Sequence, residues 1–132
     1  MNVLKNLQND VYCRIRCSKL HGVGVVAIRD IPKGKNPFKR LRDDSKIVAI
    51  PDKDIDKLKP EIRKMIHDFF QKEDDDKWYI PSGGLNSMDI SFYMNHSKRP
   101  NIAIVNGRHN LVEFRTKKKI KAGQELTINY DL

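Results

Sequence analysis

FYMNHSKRPN, residues 92 to 101, places an Asn-His-Ser triplet ahead of two positive charges and a Pro-Asn pair. Asn95 and His96 admit four readings: metal ligands, a general base, a glycosylation sequon, or one wall of a ligand cradle. A metal needs partners, yet His21, His67 and His109 fall on other segments with no paired spacing. A sequon matters only in a secreted chain. A lone histidine is by default a hydrogen-bonded structural residue, although His96 as a base stays open. The stretch gains meaning only from what surrounds it.

The chain has 132 residues, enough for one domain with a modest core over 1–132. Apolar residues make up 39% and charged ones 33%, an ordinary globular balance rather than a disordered one. No apolar run approaches a membrane span. MNVLKNLQND lacks the apolar centre of a signal peptide, so the expectation is an intracellular, non-secreted chain. A net charge of +9 suits an anionic partner such as nucleic acid or chromatin, which would mean nuclear or nucleoid association. The basic residues are scattered without interleaved aromatics, however, which suits a solvated basic face equally well. Cys13 and Cys17 cannot make a four-cysteine zinc site, and no metal site is expected. Their spacing along a strand puts both on one face with Ile15, so both are expected buried and reduced.

Periodicity divides the chain into N-terminal strands over 1–50, a helical insert over 51–90 and a C-terminal part over 91–132. VYCRIRC alternates as a strand does, and VGVVAIRDI follows a glycine turn. KIVAIP is a short strand ended by Pro51. Ile62, Met65, Ile66, Phe69 and Phe70 recur at helical spacing behind Pro60, predicting an amphipathic helix over roughly 58–72 with these residues in the core. EDDD at 73–76 is an acidic knob. IAIV and LVEFRT flank Asn106-Gly107, a hairpin signal, and Ala122-Gly123 turns the chain into a last strand. Many short strands with one helix and no βαβ rhythm predict a β-rich α+β domain.

Gly22-Val23-Gly24 alone is a weak signal, since no third glycine or following helix makes it a dinucleotide fingerprint. Together, SKLHGVGVVAIRDIPKG, FYMNHSKRPNI and IKAGQELTINY resemble, in order, the three signature blocks of the SET-domain protein lysine methyltransferases. The resemblance covers roughly residues 11 to 132. It implies the SET (β-clip-like) fold: several short sheets, one insert helix, and a C-terminal pseudoknot bringing Tyr130 to Asn95 and His96. Implied with the fold is transfer of a methyl group from S-adenosylmethionine to a protein lysine, with S-adenosylhomocysteine as product. The cofactor would lie against Val23, Gly24, Val25, Tyr93, Asn95 and His96, and Tyr130 would be the catalytic tyrosine.

The chain departs from the family in three places. Val23 stands between the glycines where an aromatic or Arg is frequent, and Phe92 occupies a place before Tyr93 where an Arg is common. The sequence also ends two residues after Tyr130, so the resemblance is to a minimal SET domain without the cysteine-rich tail. A lid would then come from residues 1–10, the 51–90 insert, the substrate, or a second copy in a homodimer completing the active site. The expected partner is a lysine-bearing protein, a histone or another basic protein, which the EDDD knob would attract. The competing reading is a non-catalytic SET-like module that binds chromatin or nucleic acid through its basic surface.

Overall fold

A computed structural model describes residues 2–41, 46–108 and 111–131. The chain divides into two compact units, one of residues 1–43, 89–106 and 112–132, the other of 44–88 and 107–111.

The first unit is built on a four-stranded sheet. Its strands are β1 (Cys13–Cys17), β2 (Val23–Ala27), β5 (Asn95–His96) and β8 (Glu125–Ile128), in the order β1-β2-β8-β5. β2 runs antiparallel to both β1 and β8, while β5 lies parallel to β8. The C-terminal strand is thus inserted between an N-terminal strand and the Asn-His pair. Val25, Val26 and Ala27 are consecutive and all buried, so both faces of β2 are covered. Val25, Ile31, Met94, Ile102, Ile120 and Leu126 form the centre of the core, with Tyr12, Cys13 and Ala27 around them. The turn at Ile31-Pro32-Lys33-Gly34 is anchored by paired backbone bonds between Ile31 and Ile120. Buried Thr116 also holds it, donating to the Pro32 carbonyl at 2.6 Å and accepting the Lys35 N–H at 3.0 Å.

β1 corrects the expectation for the cysteines. Cys13 is buried and Cys17 exposed, because only the start of this edge strand is covered. Burial pushes the Cys13 thiol up to about 12, with the nearby Asp89 carboxylate adding to the effect. A disulfide-exchange reagent at neutral pH is therefore expected to titrate one thiol in the native protein and both in denaturant. Equal reaction rates for the two native thiols would contradict this placement.

Residues 1–10 carry an element that periodicity did not reveal, α1 (Val3–Asn9). Its ends are satisfied locally rather than by burial. Asn2 accepts the N–H groups of Leu4 and Lys5. Arg29 donates to the carbonyls of Gln8 and Asn9 while lying 4.0 Å over the Tyr12 ring. Val3, Leu4 and Leu7 share one side of this short helix by their spacing, yet all three stay exposed.

The second unit holds β3 (Ile47–Pro51) and β4 (Lys77–Pro81) as an antiparallel pair, α2 (Asp52–Ile55) and α3 (Pro60–Phe69). Pro60 opens α3, as its fixed φ allows. Ile66 and Phe70 are buried, but Ile62 and Met65 are largely exposed, so only half the predicted core stripe is covered. Trp78 is buried, donates its indole N–H to Asp52 at 2.9 Å and packs on the His67 ring. The acidic run is largely committed to a turn. Asp75 accepts the Tyr79 hydroxyl at 2.6 Å and the Lys77 N–H at 3.1 Å, and Asp76, at φ +58, pairs with Lys72. That use competes with the proposed attraction of a basic substrate.

β6 (Ile102–Arg108) and β7 (Leu111–Thr116) form a two-stranded sheet. The strand runs through Asn106-Gly107, so the hairpin turn is not at that pair. Residues 109–110, between the two strands, lie outside the described residues.

Candidate functional site

The loop between β1 and β2 is shaped by Ser18. Its hydroxyl oxygen accepts the N–H groups of Leu20 at 2.8 Å and His21 at 3.2 Å, and its backbone N–H donates to the Gly22 carbonyl. Gly22 takes φ +50, a conformation that side chains disfavour. The Ser18 hydroxyl donates in turn to Glu125 Oε1 at 2.7 Å.

Asn95 closes the loop from the other side. Its Nδ2 donates to the carbonyls of His21 and Val23, both at 3.0 Å, and to Glu125 Oε2 at 2.9 Å. Among the described residues its Oδ1 accepts no hydrogen bond. Gly24 lies in this junction, where a Cβ would stand 2.5 Å from Glu125 Oε2 and 3.1 Å from Asn95 Nδ2. Here glycine is needed for close approach rather than for its backbone angles.

His96 and Tyr130 meet from 34 residues apart. Nδ1 of His96 accepts the Tyr130 N–H at 3.0 Å, which places the ring proton on Nε2, 4.0 Å from Asp131. The two rings pack at 5.3 Å between centroids. Ser97 N–H donates to the Ile128 carbonyl at 2.9 Å, continuing the β5–β8 pairing. The Tyr130 hydroxyl donates to the carbonyl of buried Met94. Burial, and to a lesser degree the Glu125 carboxylate, push the Tyr130 phenol above its ordinary value, so it stays protonated at neutral pH.

The structure therefore brings Val23, Gly24, Asn95, His96 and Tyr130 to one region of the first unit. Tyr93, at the end of a 3₁₀ turn (Ile90–Tyr93), packs half-buried against the core beside them. Val25 does not join this wall. It is fully buried and paired on both strand edges, to Ile15 and to Leu126, so the ladder and the core use it. Exposed Leu20, Val23 and Tyr130 leave apolar surface around the junction.

Three participants were missed in the sequence. Glu125 and Ser18 were not singled out, each being one polar residue within a longer block. Asn101, the last residue of the Pro-Asn pair, donates to the Glu125 carbonyl at 2.8 Å and accepts the Thr127 N–H at 2.9 Å, fastening β8. The one signal for Glu125 was its place in ELTINY, the block that also contains Tyr130.

Solved structures share this architecture. A candidate histone methyltransferase of Plasmodium falciparum is similar in structure, with a TM-score of 0.56 at 20% identity, over 91% of this chain and 93% of that one. So is a humanized mutant of the Chaetomium thermophilum Polycomb Repressive Complex 2 bound to an inhibitor, with a TM-score of 0.56 at 22% identity. There the match covers 98% of this chain but only 16% of the other. No curated protein sequence matches the chain. The SET-domain profile matches residues 22–131, and the chain belongs to the SET-domain family.

Proposed function

We propose that this SET domain transfers a methyl group from S-adenosylmethionine to a lysine side chain of a protein, a histone or another basic protein. The observation that carries the reading is the junction of Gly24, Asn95 and Glu125, with His96 and Tyr130 fastened beside it. The donor set fits the cofactor's amino-acid end and its cationic centre. Asn95 Oδ1 is an acceptor suited to an ammonium group, and the Glu125 carboxylate is a negative charge close by. Val23 and the Tyr130 ring offer exposed apolar surface to the rest.

When bound, the cofactor supplies an electrophilic methyl on sulfur. The protein's part is alignment and exclusion of water. The lysine must arrive neutral, and lowering its pKa from about 10.4 to near 7.4 corresponds to about 4 kcal/mol. Desolvation beside a positive centre lowers that pKa without a dedicated base. Tyr130 suits the orienting role. Its proton is given to the Met94 carbonyl, which leaves the phenolic oxygen to accept an N–H from the amine. A protonated phenol is a poor base, and His96 uses Nδ1 to position Tyr130.

The test is twofold: calorimetric titration with S-adenosylmethionine, and transfer of labelled methyl to histones and a panel of other basic proteins. Binding with label on lysine is expected. Absence of both overturns the reading. Salt-sensitive DNA binding without cofactor affinity would favour the non-catalytic module instead.

A further inference from the structure

Glu125 has a position its neighbours fix and a charge they do not neutralise. Its carboxylate is half-buried and held by two uncharged donors, the Ser18 hydroxyl and the Asn95 amide. Among the described residues no Lys, Arg or His forms an ion pair with it, although the chain carries a net charge of +9. Among the described residues seven other acidic residues, Asp30, Asp52, Asp54, Asp68, Asp76, Asp89 and Glu113, each pair with a Lys or Arg. The charge is felt across the site, since it contributes to the upward shift of the Tyr130 phenol. An unneutralised carboxylate in a partly dry wall is stabilised by a cation that comes to it.

We propose that Glu125 is the specificity-determining residue that makes the pocket prefer the cationic methyl donor over its neutral thioether product. This rests on the cofactor reading above. The sulfonium carries one positive charge that the thioether lacks, while the adenosine and amino-acid parts are the same in both. Contacts to those shared parts hold both ligands equally. A fixed negative charge acts on the ammonium common to both ligands and, in the donor alone, on the sulfonium as well, and that additional attraction favours release of product after transfer.

The experiment measures the affinity of S-adenosylmethionine and S-adenosylhomocysteine for the wild type and for Glu125→Gln, Glu125→Asp and Ser18→Ala. Gln is nearly isosteric, and its carbonyl oxygen can still accept from Asn95. Glu125→Gln is expected to weaken the sulfonium ligand about tenfold, the scale of one charge acting over ~10 Å at a protein surface. The thioether should lose distinctly less, about threefold, because Glu125 still acts on its ammonium but finds no charge at sulfur. Glu125→Asp keeps the charge and should keep the preference. Ser18→Ala loosens the loop and should weaken both ligands by the same factor. Equal loss for both ligands in Glu125→Gln, or no loss, overturns the charge role while leaving the cofactor reading intact. A wild type that binds neither ligand overturns the cofactor reading and this inference together.

Discussion

Tyr130→Phe is expected to keep cofactor affinity within about threefold of wild type and to cut methyl transfer by about a hundredfold or more, some 3 kcal/mol of transition-state stabilisation. The variant removes one oxygen and leaves the ring packed on His96. The lost hydroxyl has two relations. It donates to the Met94 carbonyl, and in the proposed reaction its oxygen accepts from the amine. Loss of the first leaves a carbonyl short of a partner and costs about 1 kcal/mol of stability, since half-exposed Tyr130 lets water replace it. Loss of the second misaligns the amine. Single-turnover transfer alongside equilibrium binding separates the two. Unchanged transfer would sink the assignment of Tyr130, whereas parallel loss of binding and transfer would make it a structural residue.

Gly24→Ala tests the other wall. A methyl there stands 2.5 Å from Glu125 Oε2 and 2.8 Å from Cδ, so the carboxylate has to move. It is the far end of a flexible side chain, and the fold is expected to survive. Moving it breaks the bonds to Ser18 and Asn95 and frees the 18–23 loop. Two such bonds are worth about 1–3 kcal/mol, so melting should shift by a few degrees while cofactor affinity falls by at least about tenfold. Thermal unfolding and calorimetry on the same sample are the check. Unaltered affinity would show that the junction is not the binding wall. The corresponding change at Gly34, where a Cβ meets no atom within 4 Å, gives a comparison in which strain at φ +79 is the main cost and affinity should persist.

Much of the local structure was legible in residues 11–17, 23–27 and 60–69, where period-2 or helical spacing lies next to Gly or Pro punctuation. The misplaced hairpin turn shows the limit of local signals. Asn106-Gly107 favours a reversal, yet pairing with β7 carries the strand through to Arg108. Cys17 and Met65 show the same limit for burial. A face of a strand or helix can be read from spacing, but how far a neighbour covers that face cannot.

The ordered blocks around Gly24, Asn95 and Tyr130 were enough, by themselves, to point to the family and to the region of the site, because the backbone turns and the aromatic residue are local features of residue type. Tertiary structure alone decided which polar groups meet there. The Ser18–Glu125 bond joins residues 107 apart, and Asn95 reaches Glu125 across 30. Those bonds exist because β8 is inserted between β2 and β5, a pairing that depends on burying Val25 and Leu126 together. Hydrophobic burial chose the strand order, and the strand order placed a charge beside Gly24 that no spacing along the chain announced.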